Sequence, residues 1–198
     1  MTQVAVAKYD YEAYLAVEKE PGNKYEYHNG MITAMAGGTP EHGMITMNIG
    51  RALGNALEKE PCSVLSSDVK VRIEVSNRTF YPDVSVVCGE IQKSERDVNA
   101  IINPKLIVEV LSESTASFDL GEKFAHYRKL TSLEQYIIIS QESPLVHTYY
   151  RTQDGTWEIQ TFAEAKEKIE LKSIRATIEM ADIYRRVSGI DPSVPTEA

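Results

Sequence analysis

Apolar and polar residues along this chain follow two periods, and the switches between them mark its elements. Residues 9 to 20 predict a short helix. KYEYHNGMITAMA predicts a hairpin turning at Asn29-Gly30, a pair suited to the type I′ turn between two extended runs. Thr39, Pro40 and Glu41 then open a helix: Thr39 as N-cap, Pro40 at the first helical position, and Ile45, Ile49, Leu53 and Leu57 recurring every four residues to about Lys59. After Pro61 the period falls to two. Val69, Val71, Ile73 and Val75 alternate with Lys70, Arg72 and Glu74, the pattern of a half-buried strand. Phe80 to Cys88 predicts the next strand. Lys105 to Leu111 predicts a third, almost wholly apolar, as in a sheet covered on both faces. A second helix is expected over 119–130, with Leu120, Phe124, Tyr127 and Thr131 facing the core. QYIIIS, residues 135–140, reads as another buried strand. Leu145 to Arg151 and Thr156 to Phe162 read as an outer hairpin around Gln153-Asp154-Gly155. A short strand or helix is expected around Ile174 to Val187.

No internal repeat or Pro/Ser-rich linker divides the 198 residues, so one α/β domain over 1–198 is expected. Its core would span about 39–140, preceded by the helix and hairpin of 9–36. A C-terminal extension, 141–187, and a flexible tail, 188–198, would follow. Ordinary hydrophobic and charged fractions, 42% and 25%, fit a globular chain. No apolar run reaches membrane-spanning length, and the start lacks a basic and then apolar leader. A cytoplasmic protein without a membrane partner is therefore expected. Cys62 and Cys88 have no neighbouring Cys and no zinc spacing, which points to small core or strand residues rather than a disulfide framework. A formal charge of −8 argues against a non-specific nucleic-acid coat, which gains affinity by neutralising phosphates. It leaves open an enzyme whose metal supplies positive charge locally.

The chemistry concentrates in two strands. Glu109 stands alone in Leu106-Ile107-Val108-Glu109-Val110-Leu111, where a carboxylate leaves water and must be paired, protonated or bound to a metal. The plainer reading is a structural salt bridge. Asp83 follows Pro82 in a run where Asp is disfavoured unless its oxygens are needed. If strands 80–88 and 105–111 are neighbours, Asp83 and Glu109 converge on one hard cation, which prefers oxygen ligands.

Pro82-Asp83, with Glu109-Val110-Leu111 26 residues on, resembles the PD-(D/E)XK signature of restriction-endonuclease-like nucleases. The usual lysine position holds Leu111. The likeness extends to Tyr25-Glu26 before Asn29-Gly30, Pro40-Glu41-His42, Tyr81, Ser112 with Ser114-Thr115, and Asp119 with Lys123 and Tyr127. Together these resemble the Uma family, over about residues 9 to 186. The resemblance implies a restriction-endonuclease-like core of helix, three strands, helix and strand. A mixed central sheet flanked by helices would carry an N-terminal hairpin and a C-terminal hairpin extension.

It also implies a metal-dependent endonuclease hydrolysing nucleic-acid phosphodiesters, DNA first. Asp83, Glu109 and the Val110 carbonyl would hold Mg²⁺ or Mn²⁺, and Lys123 would orient water or stabilise the transition state. Some members of the superfamily carry their lysine on this second helix. Otherwise Lys123 makes only an i,i+4 surface pair with Asp119. Glu26 is either an extra acid at the cation or an exposed strand residue. His42 is read as packing in the first helical turn, ahead of contacting phosphate at the positive helix end. Ser112 to Thr115 and Asp119 would form the turn and cap before the helix, and His28, His126 and His147 show no ligand spacing. By analogy with related nucleases a homodimer is expected. Two other classes stand beside this one. Leu111 favours a catalytically degenerate nuclease-fold module binding nucleic acid or a protein partner, and the acidic charge allows an enzyme for a non-nucleic phosphate ester.

Overall fold

The computed structural model describes residues 8–190, apart from 21, 23, 36 and 113–117. Helix α1, Tyr11–Glu18, is capped by Asp10, whose carboxylate accepts the Ala13 N–H at 2.8 Å. It buries Tyr11 and Tyr14 against Tyr27, with ring centroids 5.3 to 5.4 Å apart. The predicted hairpin forms from β1, Tyr25–His28, and β2, Met31–Ala34. Its turn residues Asn29 and Gly30 have φ of 50° and 103°, the left-handed pair that a type I′ turn requires.

Helix α2, Pro40–Ala56, starts as expected: Thr39 Oγ1 accepts the His42 N–H at 3.1 Å. Ile45, Ile49 and Leu53 are fully buried along one stripe, with Leu57 just beyond the helix end. They pack on one face of a six-stranded sheet ordered β12-β11-β10-β9-β6-β3. Its strands are β3 Cys62–Ser66, β6 Val84–Cys88, β9 Leu106–Leu111, β10 Gln135–Ser140, β11 Val146–Arg151 and β12 Trp157–Phe162. Strands β9 and β10 run parallel and the other neighbours antiparallel, so the sheet is mixed. The second face carries Ile107, Tyr136 and Ile138 against Tyr127 of α3, Phe124–Tyr127, and against Val71, Ile73 and Phe80.

Those last residues belong to a second six-stranded sheet, ordered β2-β1-β5-β4-β8-β7. It adds β4 Lys70–Ile73, β5 Arg78–Phe80, β7 Lys93–Ser94 and β8 Asp97–Ile101. The expected strand 80–88 is thus two strands in two sheets, with Tyr81-Pro82-Asp83 passing between them. Pro82 has no N–H to give a ladder there. The first strand of the helix-flanked sheet is β3, which the alternation after Val69 had hidden, and β7 and β8 had no clear sequence signal.

Two of the three polar residues of the 69–75 alternation do not face water, whereas Glu74 does. Lys70 and Arg72 are buried, Lys70 in ion pairs with Glu18 and, at 2.8 Å, with Asp97. The Arg72 guanidinium lies 3.9 Å from the Tyr11 ring centroid. Val75, expected inside, is exposed because the strand ends at Ile73. The cysteine reading also needs correction. Cys62 and Cys88 pair across β3 and β6 with Cα atoms 3.9 Å apart and form a disulfide. Residues 26 apart in sequence become adjacent only through strand register.

The chain closes α2's face of the larger sheet with the hairpin β13 Lys168–Leu171 and β14 Ala176–Glu179 and the short helix α4, Met180–Ile183. The expected segment near 174–187 therefore holds both a strand and a helix. Most of the expected tail, residues 191–198, lies outside the described residues. Ile49 stands at the centre of the α2 contact. Ile49→Ala should lower unfolding free energy by about 2–5 kcal/mol, read as a lower urea midpoint at unchanged slope.

Candidate functional site

The antiparallel register pairs Val84 with Val108, and one step further along opposes Asp83 to Glu109. Asp83 is anchored there by the backbone of β9: its Oδ2 accepts the Val110 N–H at 2.7 Å. Alternate residues of β9 face opposite ways, so Val108 and Val110 join the α2 core while Glu109 points towards α3. Glu109 is 3% exposed. Its carboxylate accepts the Tyr127 hydroxyl at 3.0 Å and the Lys123 ammonium at 2.8 Å.

Lys123 reaches inward because the helix begins with a π-helical turn, Asp119–Lys123. The wider turn shifts the register of side chains relative to a regular helix. Asp119 and Lys123 are buried, while Leu120 is 40% exposed and Thr131 is exposed, so both leave the expected apolar stripe. Asp119 is no cap either. Its Oδ1 lies 3.2 Å from Lys123 Nζ, and its carbonyl accepts the Tyr136 hydroxyl at 3.1 Å. Ser114 and Thr115 of the expected turn fall outside the described residues.

Glu26 extends the cluster from β1. Its Oε1 accepts the Tyr81 N–H at 3.3 Å and lies 3.8 Å from Lys123 Nζ, while Oε2 is 3.3 Å from His28 Nε2. Its side chain is only 14% exposed, which removes the reading of an exposed strand residue. His42 approaches from the first turn of α2, with Nε2 3.4 Å from Asp83 Oδ2 and a hydrogen bond to the Val110 carbonyl. It thus touches two of the three expected cation donors. His28 and Tyr127 belong to the cluster as well. The sequence showed Tyr127 as a core aromatic and as part of the family pattern, without a role at the site, and nothing in its spacing marked His28.

Four carboxylates, Glu26, Asp83, Glu109 and Asp119, therefore surround one lysine and two histidines. Burial pushes the Glu109 carboxyl well above the usual range; Lys123 opposes this, and the negative charges of Asp83 and Asp119 add to it. Burial alone would lower Lys123, but Glu109, Glu26 and Asp119 outweigh it and hold the ammonium protonated. Burial likewise raises Glu26, and His28 and Lys123 reverse the sign, leaving it below the usual carboxylate range. The hydrogen bond to Asp83 raises His42, against burial.

Excess negative charge and oxygen donors suit a hard divalent cation. Among the described residues, no three His, Cys, Asp or Glu side chains are placed to hold a metal by themselves. The candidate donor set is of another kind: two carboxylates, Asp83 and Glu109, with the main-chain oxygen of Val110.

Two outcomes follow from these charges. In metal-free buffer, His42 should titrate above about 6.5, and Asp83→Asn should lower that value, both read from the imidazole Cε1–H resonance. Being raised, His42 stabilises the fold fully below the unfolded-state pKa and loses that contribution as pH rises through the folded one. Lys123→Met should cost about 3–5 kcal/mol at pH 8. The loss should shrink at pH 5, where the stranded Glu109 takes up a proton; equal losses at both pH values in chemical unfolding would contradict the buried-pair account.

No helix among the described residues is long and apolar enough to cross a membrane. Residues 11–182 match the Uma2 family model, described as "Putative restriction endonuclease". Two relatives come from Synechocystis. The uncharacterized protein slr1290 is 35% identical over 174 residues, covering 88% of this chain and 90% of its own. The uncharacterized protein sll1609 is 32% identical over 162 residues, covering 82% and 92%. Among solved structures, a "putative nuclease belonging to DUF820" from Anabaena variabilis superposes with a TM-score of 0.69 at 16% identity, over 85% of this chain and 94% of that one. That likeness gives the fold, a mixed α/β arrangement of the restriction-endonuclease-like kind. The extent of the family match and the identity to these relatives make the chain a member of the Uma2 family.

Proposed function

We propose that this chain is a metal-dependent phosphodiesterase that cuts nucleic acid, with Asp83, Glu109 and the Val110 carbonyl as donors to Mg²⁺ or Mn²⁺. The observation that carries this reading is the buried ammonium of Lys123, 2.8 Å from Glu109, in a chain whose strand position for a lysine holds Leu111. A charge placed there from the helix stands where a phosphoryl oxygen or an attacking water would be oriented. When bound, the ion supplies positive charge against the phosphoryl oxygens and makes water more acidic. Asp83 is presented by the Val110 N–H and Glu109 by the Tyr127 hydroxyl, so both carboxylates are oriented before substrate arrives. Lys123 keeps its proton through its three acidic neighbours and acts as a fixed charge rather than a base. Glu26 and Asp119 hold that ammonium, and His42 accompanies Asp83. Pairing of two copies would give one site for each strand of a duplex.

A second reading is a degenerate nuclease-fold module. It draws on the same lysine, whose ion pairs among the described residues are all to the protein's own carboxylates.

Nicking of supercoiled plasmid, with single-stranded DNA and RNA as further substrates, should appear with Mg²⁺ or Mn²⁺ and vanish with a chelator. Asp83→Asn and Glu109→Gln, shown folded by circular dichroism, should each reduce the rate by at least a hundredfold, on the order seen when a transition-state contact is lost. Variants that cut as fast as the parent sink the assignment. Calorimetry that detects no Mg²⁺ or Mn²⁺ binding at millimolar concentration supports the module instead.

A further inference from the structure

A cavity of about 510 Å³ opens between the two sheets, beside edge strand β3 and the β7–β8 pair. Its size falls within the ~300–1,000 Å³ of small-molecule sites. Leu65, Ile91 and Val98 give it apolar walls, and Glu18, Lys70 and Tyr81 give it polar and aromatic surface. Those polar groups are pre-arranged. Tyr81's hydroxyl donates to Glu18 at 2.9 Å, and Lys70 pairs with Glu18 and with Asp97, which leaves one ammonium N–H outside the two ion pairs.

Tyr81 joins this cavity to the carboxylate cluster. Its main-chain N–H is held by Glu26, 3.8 Å from Lys123, and Asp83 lies two residues on. Two residues of chain reach at most about 7 Å, against a rise of about 3.4 Å per nucleotide in a stacked strand. The cavity thus lies within one or two nucleotides of a phosphate placed at Asp83. With a formal charge of −8, the chain gains little by neutralising phosphates, of a duplex or of a single strand, which raises the value of any base contact.

We infer that this cavity receives one unpaired nucleobase beside the scissile phosphate, so that the substrate is single-stranded or has a nucleotide turned out of its duplex. The base's faces meet the aliphatic walls, and its polar edge meets the Glu18–Lys70 pair beside Tyr81. The position relative to the cut rests on the phosphodiesterase reading; the capture of a base rests on the cavity alone.

The test has two arms. Methyl NMR titration of the full chain with adenosine and uridine, which carry no phosphate, should show saturable shifts at Leu65, Ile91 and Val98. Val98→Trp fills the mouth from a position that is 66% exposed and should weaken binding at least tenfold; Val75→Trp, at a position 78% exposed and away from the cavity lining, should leave it unchanged. In the second arm, a single abasic site is stepped along a single-stranded oligonucleotide in Mg²⁺. Cutting should fall by roughly tenfold or more only when the missing base is one or two nucleotides from the cut, and this dependence should disappear in Val98→Trp. Absence of cavity methyl shifts up to the solubility limit overturns the inference, and so does cleavage indifferent to every abasic position. Methyl shifts without cleavage of any nucleic acid keep the base site and overturn the phosphodiesterase reading alone.

Discussion

A charged lysine with 7% of its surface exposed is expensive to keep in a protein interior, and the burial of Lys123 dictates much of what surrounds it. Glu109 comes from the centre of a sheet, Asp119 from one turn earlier on the same helix, and Glu26 from the N-terminal hairpin. A hairpin, a central strand and the helix's own first turn are therefore committed to one ammonium. The negative charge left over is what the proposed metal ion would answer. Asp83 stands outside the lysine's contacts, docked on β9 and attended by His42, so the two expected carboxylates are oriented by different partners.

The link between the sheets has the same economy. Phe80 ends a strand in one sheet, Val84 begins a strand in the other, and the three residues between serve different neighbours. Tyr81 reaches Glu18 and leaves its N–H with Glu26, Pro82 needs no ladder partner, and Asp83 meets β9. A crossing between sheets frees backbone and side chains from ladder duties, which is why chemistry gathers there.

The elements legible in the sequence were those whose burial is simple. The four-residue recurrence of Ile45, Ile49 and Leu53 located α2, Asn29-Gly30 located the hairpin, and the apolar runs of β9 and β10 located the doubly covered strands. Failures came where polar residues are buried or where register decides. Lys70 and Arg72 read as solvent-facing because their partners, Glu18, Asp97 and the α1 tyrosines, lie far away in sequence. The disulfide depends on a strand pairing that spacing does not reveal. Asp119 read as a cap, and Leu120 as core, because the expected periodicity assumed a regular helix where a π turn occurs. Glu109 was conspicuous as the one charge in an apolar run, whereas Glu26 and His28 look like ordinary hairpin residues until the hairpin is folded against Phe80 and Lys123.

The π turn has a mechanical meaning. An ammonium carried on a strand has its backbone fixed by the sheet's ladder. Here it rides on a helix whose hydrogen bonds to the sheet, among the described residues, include Tyr127 to Glu109, Tyr136 to the Asp119 carbonyl and Lys123 to Glu109. Displacement of that one turn would carry the positive charge away from Glu109 with every strand-to-strand hydrogen bond still in place. Charge placement and sheet integrity thus rest on different bonds in this protein.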